Sequence, residues 1–208
     1  MQFATWEPHY QALLEDFGFS LERDEEAAKL LAELLHGLED WLPKACARVC
    51  GRDVIVFGNA PTLDRELDGL QEKDAVFIAA DGATTILLRR GIVPDIIVTD
   101  LDGYFPDILK ANLEGSITVV HAHGDNLDAL QRYVPQLERV IGTAQCRPPL
   151  GLYNFGGFTD GDRCVFLARE LGAASVKLVG FDFEDESVTP RKRRKLIWAR
   201  RLIELAMS

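Results

Sequence analysis

The sequence predicts an α/β fold: a mostly parallel sheet with helices on both faces, preceded by a helical N-terminal segment. Three observations predict it. From residue 53 onward, short β-branched runs alternate with helical windows, the pattern of parallel strands joined by crossover helices. Each cluster of glycine, aspartate or histidine falls directly after one of those runs, where open parallel sheets bind ligands. Residues 1–50 contain no such run and instead repeat leucine at helical spacing.

The elements follow in order. Residues 7 to 50 read as helical. Ser20 is an N-cap, and the acidic residues of Ser20-Leu-Glu-Arg-Asp-Glu-Glu suit the positive end of a helix dipole. Leu30, Leu31, Leu34, Leu35 and Leu38 then mark an amphipathic face for the core or a subunit interface. The strands are expected at Val54–Phe57, Ala75–Ala79, Ile96–Val98, Ile117–Val120, Val140–Ile141 and Val176–Val179. Helices are expected near 62–70, 83–90, 105–113, 126–133 and 160–171, and a last one over 189–207 with Pro190 at its start. The division is a helical segment, 1–50, and an α/β catalytic domain, 51–208.

Composition bounds the function. A chain of 208 residues, 47% hydrophobic, buries a substantial core. A net charge of −10 argues against general nucleic-acid binding, which leaves a basic footprint. Cys46, Cys50, Cys146 and Cys164 form no C-x-x-C pair, so structural thiols are expected. The start carries no signal-peptide pattern, and no apolar stretch approaches membrane-spanning length. A cytoplasmic protein acting on small molecules is expected, with no membrane partner; the leucine-rich helix is compatible with a homo-oligomer.

The chemistry concentrates in the motifs. Asp100 and Asp102 follow the run Ile96–Val98. Residues two apart in a strand project to one side, so the two carboxylates converge if the strand geometry persists. Like charges that close need a proton or cation between them, and Mg²⁺ with substrate phosphates is the natural resolution. Gly58-Asn59 opens a turn after the first strand that lets backbone amides approach a phosphate, although it matches no standard phosphate-loop motif. Asp81-Gly82 ends the second strand, where an aspartate caps the next helix by default. His121-Ala-His-Gly-Asp-Asn126 follows the fourth strand. Asp125 is taken as a third carboxylate near the metal, with His121 and His123 contacting phosphate or positioning the acid and Asn126 beside them; a transition-metal site is the weaker alternative. Asn154–Asp160 reads as a glycine loop entering a helix capped by Thr159 or Asp160, and Gly180–Phe183 as an aromatic pocket wall. Arg191-Lys-Arg-Arg-Lys195 begins the last helix, where the dipole favours anions rather than cations.

Gly58-Asn-Ala-Pro-Thr-Leu63, Ala80-Asp-Gly-Ala83, Pro94–Gly103, His121–Asn126, Asn154–Asp162 and the stretch from Lys195 to Arg200 together resemble the archaeal MptE-like family, over about residues 50–205. The resemblance implies a thiamine-pyrophosphokinase-like, Rossmann-like core and an Mg²⁺- and ATP-dependent 6-hydroxymethyl-7,8-dihydropterin pyrophosphokinase of tetrahydromethanopterin or folate-type pterin biosynthesis. ATP would donate a diphosphate to the pterin alcohol and leave as AMP. Asp100 and Asp102 would then be the principal metal ligands. Asp81 and Asp125 would be supporting or further ligands, with Asp125 alternatively accepting the hydroxyl proton. Arg191, Arg194 and Lys195 would contact phosphate. A thiamine pyrophosphokinase, a metal-dependent nucleotide-sugar transferase and a non-catalytic nucleotide-binding module are the competing readings.

Overall fold

A computed structural model describes residues 2–72 and 74–208. The helical segment is three helices: α1 (Phe3–Phe17), α2 (Leu21–Leu35) and α3 (Leu42–Val49). The break between α1 and α2 is local chemistry. Gly18 takes the left-handed conformation, with φ 68°, that closes a helix C-terminus, and Ser20 Oγ accepts from the Arg23 amide to open α2.

The β-branched runs form β1 (Asp53–Phe57), β2 (Val76–Ala80), β3 (Ile96–Thr99), β4 (Ile117–Ala122), β5 (Val140–Ala144) and β6 (Ser175–Val179). They build one parallel sheet in the order β5-β4-β3-β2-β1-β6. Between them lie α4 (Leu63–Glu66) with a 3₁₀ turn after it, α5 (Asp81–Arg89), α6 (Phe105–Leu113), α7 (Leu127–Tyr133) and α8 (Asp160–Glu170), and α9 (Pro190–Met207) closes the chain. The path steps outward from β1 to β5, then returns through α8 to place β6 on the other side of β1. The direction of winding therefore reverses between β1 and β6, which is where such sheets open a crevice.

Strand alternation assigns the two faces. Val54 and Val56 of β1, Ile78 of β2 and Val98 of β3 pack with Val165, Leu167 and Ala168 of α8. Ile55, Phe57 and Ala79 point the other way, onto Leu63, Ala83 and Leu87. Burial of both faces explains why these strands read as unbroken apolar runs.

The N-terminal helices share the sheet's core. Trp6, Tyr10 and Leu31 pack with Val120 of β4, Ala144 of β5 and Phe166 of α8. The Trp6 indole donates to the Gln145 carbonyl at 2.9 Å. Asp24, 3% exposed, ties four parts of the chain together. Its carboxylate accepts from Tyr10 Oη at 2.6 Å, the Gly124 amide at 2.8 Å and Gln145 Nε2 at 3.1 Å. Among the described residues no helix is long and apolar enough to cross a membrane.

Candidate active site

All six strands end at one edge, and the polar motifs meet there. Asp81, Asp100, Asp102 and Asp160 each offer a carboxylate oxygen, and these oxygens all lie within 4.8 Å of one another. The parallel register explains the first two. Ala80 of β2 pairs with Val98 of β3, so Asp81 stands level with Thr99, whose hydroxyl donates to Asp81 Oδ2. Asp81 was expected to cap α5. It lies inside that helix without capping it, and its carboxylate turns instead to Thr99 and to the Gly103 amide at 3.3 Å.

Asp100 and Asp102 converge by a different route from strand alternation. β3 ends at Thr99, and Leu101 adopts φ 66°, a left-handed conformation costing ~1–2 kcal/mol in a non-glycine residue. The Leu101 amide donates to Thr99 Oγ1 at 2.7 Å, and its side chain, 3% exposed, is anchored in the core. This turn brings the Asp102 amide to 3.3 Å from Asp100 Oδ1. Gly103 is obligatory here, because a Cβ would collide with the Asp81 carboxylate.

The electrostatics are those of crowded like charges. Burial, followed by the charge and hydrogen bond of Asp100, pushes Asp102 up to about 6 although its outer edge is exposed. Burial and Asp100 push Asp160 well above the carboxylate range, against the pull of Arg163. Burial also raises Asp81, while its bonds to Thr99 and Gly103 oppose the rise. Asp100 goes the other way. Burial disfavours its charge, but the His123 hydrogen bond and the Arg163 and His123 charges together outweigh burial and hold it low. Asp100 is thus the carboxylate whose charge the site favours, while burial and mutual repulsion disfavour charge on its neighbours.

That arrangement fits a hard divalent cation. The donors are all carboxylate oxygens, and Asp81 Oδ1 is buried without a hydrogen-bond partner. Their spread is close to the ~4 Å that spans an Mg²⁺ octahedron with ligands at about 2.1 Å.

The acidic cluster faces a cavity of about 540 Å³ at the switch point between β1 and β6. Gly58 and Asn59 line it after β1, Gly82 after β2, and Phe181 and Phe183 after β6, so the Gly180–Phe183 segment does form an aromatic wall. A Cβ on Gly58 would stand 2.6 Å from the Gly180 carbonyl, which is why the two strand ends can close together. Arg191, Lys192 and Lys195 also line it, from the start of α9. Its N-terminal dipole adds to their positive field.

Several expected site residues stand elsewhere. Asp125 is exposed and lies outside the carboxylate cluster, and its place there is taken by Asp160. His121 is 3% exposed beneath the edge, with Nδ1 3.0 Å from Thr143 Oγ1. Burial and the charges of Arg163 and His123 keep that ring neutral. Asn126 is a clamp: its amide donates to the Asp100 carbonyl at 2.7 Å and the His121 carbonyl at 2.8 Å. Arg194 turns away from the cavity to pair with Asp16 at 2.6 Å, beside the Trp198 indole bonded to the same carboxylate. His123 does reach the cluster, with Nε2 3.3 Å from Asp100 Oδ2.

Asp160 and Arg163 were missed by motif reading as site residues. Thr159 takes the N-cap position as one of the two expected candidates, and Asp162 rather than Asp160 completes the capping box by accepting from the Phe158 and Thr159 amides. This frees Asp160 to face the cluster, 3.3 Å from Arg163 Nη1. Arg163 also reaches Gln145 Oε1 at 3.4 Å. An arginine in the first turn of a helix opposes the dipole, and that was the available signal.

The chain matches the family model described as 6-hydroxymethylpterin diphosphokinase MptE-like over residues 24–187. It is 46% identical over 228 residues to the 6-hydroxymethyl-7,8-dihydropterin pyrophosphokinase of Methanothermobacter thermautotrophicus, spanning 98% of this chain and 94% of that protein. It is 43% identical to the Pyrococcus furiosus protein of the same name, with the same two coverages. It is 40% identical to that of Methanocaldococcus jannaschii, over 88% of this chain and 80% of the relative.

Proposed function

The chain belongs to the MptE-like 6-hydroxymethylpterin diphosphokinase family, and from that premise we propose that it transfers diphosphate from ATP to 6-hydroxymethyl-7,8-dihydropterin and releases AMP. The observation that carries the geometric side of this reading is the convergence of four carboxylates with Arg163 and Lys195 in the lining of one cavity of nucleotide size at the switch point.

Asp81, Asp100, Asp102 and Asp160 would hold Mg²⁺, which when bound neutralises triphosphate oxygens and the charge that develops on the leaving phosphate. The chain's own residues do the positioning. Turn amides after β1 and the cations of α9 receive the phosphates, and the aromatic wall of Phe181 and Phe183 receives the base. The alcohol oxygen attacks the β-phosphorus. The bond from that phosphorus to the oxygen bridging the α-phosphate breaks, and the electron pair leaves with AMP. Transfers of this type ask mainly for alignment and charge neutralisation, with little covalent work from the protein. The hydroxyl proton passes to Asp125 or water on the acceptor side. Arg163, buried beside Asp160 and close to Asp100, offsets the negative charge collected at the reacting centre.

The test is AMP release from ATP and Mg²⁺ with 6-hydroxymethyl-7,8-dihydropterin or thiamine as acceptor. AMP with the pterin alone is the expected result. AMP with thiamine alone would keep the chemistry and overturn the acceptor.

A further inference from the structure

We propose that a second cavity, of about 440 Å³ beyond the carboxyl ends of β3, β4 and β5, is the acceptor subsite. It would take a flat bicyclic heteroaromatic alcohol with hydrogen-bonding edges, held by the junction of α1 and α2. The inference deepens the diphosphotransfer reading and rests on it.

Two substrates that exchange a diphosphate must meet at one phosphorus. The two cavities meet in this way, sharing Asp100, Phe158, Arg163, Arg191 and Lys195 along their border. The switch-point cavity holds the acidic cluster and suits the nucleotide, which leaves the second for the partner substrate. That border also sets the direction of attack, since an alcohol reaching past Asp100 arrives from the side away from the nucleoside end of the first cavity.

The lining fits a planar ring. Phe17 and Phe19 stack with centroids 5.6 Å apart, and Phe158 lies 4.9 Å from Phe17. Together they form an aromatic wall of the cavity. Lys195 Nζ sits 5.7 Å from the Phe158 ring and the Arg191 guanidinium 5.9 Å from Phe19, so cations stand where the rings meet the phosphate side. Around the aromatic wall stand Ser20, Arg23, Asp125 and Gln145, a mixture of donors and acceptors for the edge of a heterocycle. Among the described residues the side chains of Arg23 and Asp125 have no hydrogen-bond or ion-pair partner. Apolar faces with a few convergent polar groups are the usual make-up of a small-molecule site.

The cavity is also held rigid. The three hydrogen bonds on Asp24 lock the α1–α2 junction to the loops after β4 and β5. Gly124 lets that loop lie on α2, because a Cβ there would stand 2.6 Å from Arg23 Cβ. Such preorganisation lowers the ordering cost of binding. It gives the N-terminal helices, which carry no recognisable motif, a functional role.

The test is steady-state kinetics of Phe19→Ala and Arg23→Ala against wild type, with ATP and 6-hydroxymethyl-7,8-dihydropterin varied in turn. Arg23 is exposed, and alanine keeps the Cβ that meets Gly124, so this variant retains the fold even if Phe19→Ala does not. The proposal expects at least a tenfold rise in KM for the pterin, with KM for ATP within twofold of wild type. An unchanged pterin KM in both variants, or a rise confined to ATP, overturns the subsite while leaving the reaction standing. Absence of pterin-dependent AMP in wild type overturns the diphosphotransfer reading, and the subsite with it.

Discussion

His123 Nε2 lies 3.3 Å from Asp100 Oδ2, and the Asp125 amide donates to His123 Nδ1 at 3.2 Å. The second bond occupies the Nδ1 lone pair, so geometry assigns the ring proton to Nε2, facing the carboxylate. Asp125 thus acts on the cluster through its backbone, at one remove from the acids its side chain was expected to join.

Removing that donor should be felt through Asp100. His123→Ala should lower Mg²⁺-dependent turnover by about 10- to 100-fold, the usual effect of losing a group that orients a metal ligand. The Mg²⁺ concentration for half-maximal rate should rise as Asp100 loses the bond that favours its charge. Turnover titrated with Mg²⁺ checks both; an unchanged Mg²⁺ requirement would detach His123 from Asp100 function.

The carboxylates give a signed pH dependence. Asp102, pushed up to about 6, contributes stability to the metal-free protein that is fully present below about 4 and lost as pH rises through 6. The raised Asp81 and Asp160 act in the same sense. Asp100, held low, contributes in the opposite sense but loses that contribution only at pH below the ordinary carboxylate value, outside this window. Mg²⁺ should therefore raise Tm more at pH 7.5 than at pH 5. Thermal melts with and without the ion decide it, and equal shifts would contradict the account.

The aspartates separate into two groups. Asp100→Asn, Asp102→Asn and Asp160→Asn should each cost on the order of 100-fold or more in kcat/KM and raise the Mg²⁺ concentration for half-maximal rate. Asp125→Asn should leave that Mg²⁺ requirement unchanged, because its carboxylate stands outside the cluster. Magnesium titrations of the four variants make the comparison.

Two neighbours in the basic run should behave differently. Lys195→Ala should raise KM for ATP, since Lys195 lines the nucleotide cavity. Arg194→Ala should leave KM unchanged and cost little stability, as is usual for exposed ion pairs. A KM effect at Arg194 and none at Lys195 would reverse the assignment.

The closure of β1 on β6 is also testable. Gly58→Ala forces a methyl against the Gly180 carbonyl, which cannot rotate away. The expected loss is ~1–3 kcal/mol of folding stability, read by denaturant titration, together with weaker ATP binding.

Much of this was legible because the strands are buried on both faces, so their apolar runs stand out and the residues after them mark the sheet edge. Asp81 and Asp100 were found in that way. Asp160 was not, because only the return crossover through α8 brings it beside a strand end some sixty residues earlier in the chain. Asp125 stands outside the cluster, because composition next to two histidines does not tell which side of a loop a carboxylate takes. The basic run held a readable clue. Residues 191 and 195 are four apart and share a helix face, whereas 194 is rotated about 100° from 195. The Leu101 turn was invisible, since an unfavourable backbone conformation in a leucine leaves no sequence signature.

The most direct test follows the label of ATP carrying isotope at the β-phosphorus, with 6-hydroxymethyl-7,8-dihydropterin and Mg²⁺. Attack at the β-phosphorus predicts all label in the pterin product, together with the γ-phosphate, and unlabelled AMP in equal amount. Labelled ADP and a pterin monophosphate would mean transfer of the γ-phosphoryl group alone, and would contradict the account.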